Sequence, residues 1–282
     1  MKDFFSIIGI KTTSLEKIQE STTSPEFIIN LNKNNIFSKL GGFYVADPFV
    51  YEINDVEYLF CELLLKNGKG VIARVERRKN KKWNNPIIVL EESFHLSYPT
   101  IYNYKNSVYM LVESADDSKI RIYKANDISL KSWKFEKSLI KGKYYDPTIF
   151  EHRGNWFMFA CSKKDFSQLE LFYSTKDLLG PWKKHPESPF NMGSSKSRPA
   201  GPVMEWNSKK FRLAQDCSVK YGQAVKIFEI KKITKEHYRE GKGKIILTNS
   251  NDGWNSQGMH HLQIYKHNKK NIYAVSDGYT KI

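Results

Sequence analysis

Four stretches of this chain repeat one phrase, and their spacing limits the folds open to it. They are "DPFVYEINDVEYLFCE" from Asp47, "YPTIYNYKNSVYMLVE" from Tyr98, "DPTIFEHRGNWFMFAC" from Asp146 and "GPVMEWNSKKFRLAQD" from Gly201. Pro48, Pro99, Pro147 and Pro202 give a period of roughly 50 residues. Each phrase reads as strand, polar turn, strand, with "IND", "YKN", "HRG" and "WNS" supplying turn formers. A third strand follows each hairpin: "GVIARVER", "KIRIYKA", "LELFYST" and "AVKIFEI". In three units a Trp then marks an outer strand, at Trp83, Trp133 and Trp182, where regular recurrence points to packing between units. "HHLQIYKHNKKNIYAVSDG", residues 260–278, is a fifth and weaker unit. Four strands per unit at this period predict an all-β chain: one five-bladed β-propeller domain with four-stranded antiparallel blades. Blades are expected to start near 47, 98, 146, 200 and 260, with residues 1–40 supplying a closing strand or a cap. A β-sandwich is the alternative, but it requires neither the Trp nor the Asp-Pro. "TKEHYREG" at 234–241 is the one short helical candidate.

In a propeller the innermost strand of each blade lines a central channel, so residues at strand heads meet at one mouth. Proline holds its own φ and has no N–H to leave unpaired, so a strand can begin there with the preceding Asp aimed inward. Fifteen residues after Asp47 lies Glu62; the same offset gives Glu113 from Tyr98 and Asp216 from Gly201, and Asp277 is the counterpart in unit five. The mouth is expected to gather Asp47, Glu62, Glu113, Asp146, Asp216 and Asp277. A single carboxylate at a strand end commonly caps a turn or pairs with Arg or Lys; six at equivalent positions point to a site. Such a cluster suits chemistry at a sugar anomeric centre, where one carboxyl must be protonated and another ionised. Burial and mutual repulsion separate the two states.

Aromatic residues are 14% of the 282, which favours strands and supplies flat faces for sugar rings. The formal net charge is +15, but the lysines are scattered and no long basic run appears. This reads as a solvated surface compatible with sugar phosphates or anionic lipid, and not as a nucleic-acid stripe. Cys61, Cys161 and Cys217 fall in predicted strands without zinc-ligand spacing, as reduced buried thiols. The start "MKDFFSIIGIKTTSLEKIQE" is a poor secretion signal, and no apolar run nears the roughly 18 residues that cross a bilayer. A cytoplasmic monomer, at most at the inner membrane surface, is expected. No P-loop, GxGxxG or GxSxG is present.

At "ADPFV", "YDPTIFEHRGNWFMF" and "YSTKDLLGPW" the chain resembles the five-bladed propeller carbohydrate-active enzymes, which include arabinanases and β-xylosidases. Over longer stretches, among them "HLSYPTIYNYKNSVYMLVESADDSKIRIYKA", "SRPAGPVMEWNSKKFRLAQDCSVKYGQAVKIFEI" and "GMHHLQIY", it is similar to the N-terminal propeller of plant glucosamine inositolphosphorylceramide transferases and its bacterial relatives. The resemblance covers roughly residues 40–280. It implies Asp47 as general base and Asp146 as the carboxylate that orients the acid. Glu113 in "LVES" and Asp216 in "AQDCS" compete for the role of acid. The resemblance also admits a divalent cation, calcium, near the channel axis, held through oxygen ligands, although no calcium-loop motif is present.

The other candidates are substrate-binding residues. Arg198 in "SRPAG" should reach the rim, to hold an anion or to pair with Asp146 or Asp216. His260 and His261 head the fifth unit, and one of them faces the pit or is structural. Tyr221 and Gly222 make a tight connection beside Asp216, either a substrate loop or an ordinary hairpin. His95 and Tyr98 lead into the second unit at the mouth or pack between blades. Three functions fit: glycosyl transfer in glycan or glycolipid synthesis from sugar-phosphate or lipid-linked substrates, glycoside hydrolysis with Asp47 as base, and non-catalytic glycan binding.

Overall fold

Five antiparallel sheets, one per repeat, stand around a single axis in the computed structural model, which describes residues 3–31, 36–78, 81–268 and 270–281. The chain is a five-bladed β-propeller. Blade 1 comprises Tyr44–Ile53, Val56–Leu64, Gly70–Arg78 and Ile87–Leu90; blade 2 comprises Ser97–Tyr104, Ser107–Glu113, Lys119–Ala125 and Trp133–Lys141. Blades 3 and 4 begin Tyr144–His152, Asn155–Ser162, Gln168–Ser174 and Met204–Trp206, Lys209–Asp216, Ala224–Ile233, and in each the outer position is divided between two short strands. Blade 5 takes Gly258–His267 and Ile272–Lys281 from the end of the chain and Asp3–Thr12 and Phe27–Ile29 from its start. The ring therefore closes inside a sheet, Asp3 opposite Lys281 and Thr12 opposite Ile272.

Why the second strands read as near-continuous apolar runs follows from the packing. Each is buried on both faces, so alternate residues serve different neighbours. Leu59 and Cys61 join the core shared with blade 5, whereas Phe60 between them joins the core shared with blade 2. Five such cores fill the five gaps between blades. Trp83, Trp133 and Trp182 each pack into the gap with the preceding blade.

The strands do not begin at the prolines, as the sequence suggested. In blades 1 to 3 they begin two to four residues earlier and the X-Pro pair is a β-bulge, whereas in blade 4 the strand begins two residues after Pro202. Ala46 faces Glu62 and Phe49 faces Phe60, so Asp47 and Pro48 together oppose Cys61. Tyr98–Pro99 and Asp146–Pro147 repeat this. The residue before each proline lies at positive φ: 52° at Asp47, 52° at Tyr98, 51° at Asp146 and 139° at Gly201. A bulge re-aims a side chain, and three non-glycine residues held in this region are strain concentrated at one mouth.

Gly201 is glycine for a steric reason. A Cβ there would meet the Leu262 carbonyl oxygen at 2.0 Å. Gly201→Ala is expected to destabilise the protein by about 3 kcal/mol or more, since backbone would have to move and φ is unsuited to any side chain. Urea denaturation checks it, and an unchanged midpoint would refute this account.

Two further expectations change. Residues 234–241 form no helix: Thr234 Oγ1 accepts the N–H groups of Glu236 and His237, and the chain turns back as the strand Tyr238–Glu240 against Ile230–Ile233. That side-chain turn, with the pairing to blade 4 that follows it, outcompetes a helix of eight residues, too short to be stable alone. Cys217 lies just past its strand and is half-buried, whereas Cys61 and Cys161 are buried within theirs; all three thiols are free. Among the described residues no helix is long and apolar enough to cross a membrane.

Candidate active site at the channel mouth

The bulges bring residues from all five blades to one end of the channel. Asp146 is fully buried, and its carboxylate is the centre of the group. Arg198 clamps it, with Nε on Oδ2 and Nη2 3.4 Å from Oδ1, and Gln215 Nε2 donates to Oδ2 at 2.9 Å. The Asp146 backbone N–H points at Glu113 Oε2, 3.3 Å away. The Arg198 guanidinium lies between the rings of Tyr145 and Tyr221, 4.8 and 5.1 Å from their centroids. Such stacking fixes the plane of the fork that grips the carboxylate.

Asp47 stands on the far side of the group. Its backbone N–H donates to Asp277 Oδ2 at 2.8 Å, and its Oδ1 lies 4.0 Å from His260 Nε2. The other Asp277 oxygen meets His260 Nδ1 at 2.6 Å. Burial, with the charges of Asp146, Glu62 and Asp277 against the opposing pull of His260, pushes Asp47 well above the ordinary Asp range. Burial and Asp146 push Glu113 well up likewise, against Arg198. Asp277 moves the other way: although burial opposes its charge, His260 holds it below the usual range. Glu62 is buried with His95 Nε2 3.2 Å from Oε1, and His95 Nδ1 accepts the Gly70 N–H at 3.0 Å, which turns the ring toward Glu62.

Asp216 and Tyr98 stand elsewhere than the sequence placed them, and of the two histidines it is His260 that faces the group. Asp216 is turned away from the group, bonded to Lys226 Nζ at 2.7 Å and to Ser218 Oγ at 2.6 Å. Burial opposes its charge, but these partners hold it below the usual Asp range. The inner hairpin of blade 4 is shorter, with Trp206 opposite Lys209 and Pro199 opposite Ala214. Counting fifteen residues therefore overshoots, and the side chain that enters is Gln215. Tyr98 is buried inside the channel and not at the rim. Its oxygen accepts the Gly201 N–H at 2.7 Å and pairs with Thr148 Oγ1 at 3.0 Å, while Thr148 donates to the Asp146 carbonyl at 3.2 Å, a chain that joins blades 2, 3 and 4. His261 is fully buried among Phe49 and Tyr98, and burial takes its imidazole down to about 4.

The rim is aromatic. Tyr221 packs on His260, Phe5 on Tyr44, His260 and Tyr279, and Phe166 stacks on Tyr145 at 5.4 Å. Gly222 lies where a Cβ would meet His260 Cβ at 2.5 Å, which lets the Tyr221 loop close over that ring. Gln215, Tyr145 and Tyr279 each adjoin a singled-out residue or its phrase, but only the strand pairing says which neighbour faces inward.

Asp47, His260 and Asp277 present ligand-type atoms within 4.8 Å of one another. However, both Asp277 oxygens and His260 Nδ1 are engaged in hydrogen bonds to this same group, and Asp146 is engaged by Arg198 and Gln215. The side-chain atoms of Asp47, His260 and Asp277 that remain free are fewer than the six to eight ligands calcium takes, a number that further carboxylates and water would have to complete.

A family model, the N-terminal region of glucosamine inositolphosphorylceramide transferase 1, matches residues 28–279. The chain belongs to that family. Relatives include glucosamine inositolphosphorylceramide transferase 1 of Arabidopsis thaliana, 31% identical over 249 residues, covering 83% of this chain and 32% of that protein. The protein of the same name from Oryza sativa subsp. japonica is 31% identical over 252 residues, covering 83% and 33%. This family member thus spans about a third of the length of those relatives. In fold it is similar to the catalytic domain of a Coprinopsis cinerea α-L-arabinofuranosidase, with TM-score 0.63, 8% identity, and 88% and 94% of the two chains covered. An α-L-arabinofuranosidase from Podospora anserina gives 0.60, 10%, 83% and 90%.

Proposed function

We propose that the chain is a carbohydrate-active enzyme that transfers a glycosyl group in glycan or glycolipid assembly, with Asp47 as general base and Glu113 as general acid. The observation that carries this reading is the placing of two buried carboxyls, Asp47 and Glu113, at one channel mouth around an Asp146 neutralised by Arg198. In the reaction an acceptor hydroxyl gives its proton to Asp47 as its oxygen bonds to the anomeric carbon. The leaving oxygen takes the electron pair of the broken bond and the proton of Glu113. Asp146 would act by orienting Glu113 through its N–H. Asp216 is unsuited to be the acid because Lys226 keeps it ionised. Tyr145, Tyr221 and Phe166 would supply the faces for sugar rings. The names of the plant relatives put an amino sugar and an inositolphosphoryl sphingolipid among the candidate substrates. Exposed Val219, Phe166 and Lys164 at the mouth suit a lipid-linked acceptor at a membrane surface.

The test is to incubate the protein with nucleotide sugars and lipid-linked acceptors, and separately with oligosaccharides. Transfer is expected, and Asp47→Asn and Glu113→Gln should each lower it by about 10²–10⁴-fold with the melting curve retained. Release of free sugar without transfer would replace this reading by hydrolysis with the same carboxyls. Sugar binding that survives both substitutions, without turnover, would leave a glycan-binding propeller.

A further inference from the structure

The His260 ring is more closely held than a sugar-binding histidine needs to be. It is 3% exposed, with Phe5 5.3 Å away on one side and Tyr221 5.4 Å away on another. Asp277, itself fully buried, accepts from Nδ1 at 2.6 Å and with its second oxygen accepts the Asp47 N–H at 2.8 Å. One carboxylate thus ties the ring to the backbone of the residue it faces, and the bond at Nδ1 directs Nε2 at Asp47 Oδ1, 4.0 Å away. The charged and titratable groups that face His260 are Asp277 in its own blade, Asp47 of blade 1, Arg198 and Tyr221 of blade 4, and the adjacent His261. Asp146 and Glu62 act on Asp47 from beyond.

We propose that His260 is the fixed counter-ion of Asp47: a doubly protonated imidazole, gripped by Asp277, that keeps the proton Asp47 would otherwise take and so leaves Asp47 ionised to act as a base. Standing between Asp277 at Nδ1 and Asp47 4.0 Å from Nε2, the ring is favoured with a proton on each nitrogen; with Nδ1–H alone, Nε2 would turn a lone pair toward an ionised Asp47. Burial opposes the cation, but Asp277 raises His260 to about 9, in the same direction as the geometry. His260 touches no reacting atom and is a positioning residue. This deepens the reading of Asp47 as base and rests on it.

The experiment is long-range ¹H–¹⁵N correlation on the full chain with ¹⁵N-labelled histidine, which needs no substrate. At pH 7 His260 is expected to show both nitrogens protonated, with His261 neutral in the same spectrum. Asp277→Asn should make His260 neutral at pH 7, and Asp47→Asn should lower the pH at which it loses its proton, which also assigns the resonance. A singly protonated His260 at pH 7 in the unaltered protein overturns the proposal. In the transfer assay His260→Gln is expected to move the acidic limb of kcat/KM upward by at least one pH unit, a tenfold loss on that limb, with KM little changed. If the variant folds and the limb stays in place, the counter-ion role is wrong. A doubly protonated His260 in a protein without turnover would instead sink the function reading alone.

Discussion

Deleting residues 1–12 is expected to leave this chain without a cooperative folding transition. Asp3–Thr12 is the third strand of blade 5, between Phe27–Ile29 and Ile272–Lys281. Its side chains divide between two inter-blade cores, Ile7 toward blade 1 and Ile8 and Ile10 toward blade 4. With Phe5, four large apolar side chains leave the interior. At about 1.5–3 kcal/mol each, the loss is about 6–12 kcal/mol. That rivals the whole stability of a typical domain, about 5–15 kcal/mol. Thermal melting followed by near-ultraviolet circular dichroism checks it. A sharp native-like melt in the truncated chain would show that closure is dispensable. A permutant makes the complementary test. Asp3 lies opposite Lys281, so a short turn can join them, with new termini opened between Gly41 and Gly42. All five blades would then be continuous in sequence, and the fold is expected to survive.

Arg198→Ala is expected to cost about 3–5 kcal/mol, the effect of removing one partner from a buried ion pair. Asp146 is fully buried, and without the guanidinium its charge is left to the neutral amide of Gln215, which donates to Oδ2. Arg198→Lys should recover only part, because an ammonium makes neither the fork to Asp146 nor the stack between Tyr145 and Tyr221. Arg198→Ala combined with Asp146→Asn should be markedly more stable than Arg198→Ala alone, since the uncompensated charge is gone. Urea denaturation of the four proteins measures this. Equal midpoints for the single and double variants would mean that Asp146 is not charged in the native state.

The mouth also shows how local patterns mislead. "TKEHYREG" has helix-forming residues, but Glu187 accepts the Tyr238 N–H at 2.8 Å and blade 4 takes the segment as an outer strand. Asp216 carries the right charge at the right count from Gly201, but strand register gives the inward place to Gln215. In each case a contact between distant segments overrode a local preference.

The architecture could be read from the chain because its signals are local. Each inner hairpin carries its own turn and its own doubly buried strand, the first four with an X-Pro pair at the head, and repetition of that unit leaves a ring as the arrangement that buries both faces of every sheet. The identities of the partners at the mouth were decided only in three dimensions. Arg198 meets Asp146 across 52 residues and Asp47 meets Asp277 across 230. No spacing rule reaches that far: which side chains touch across the axis depends on the register of each hairpin and the closing of the ring, and a shift of one residue in either turns a side chain to the opposite face.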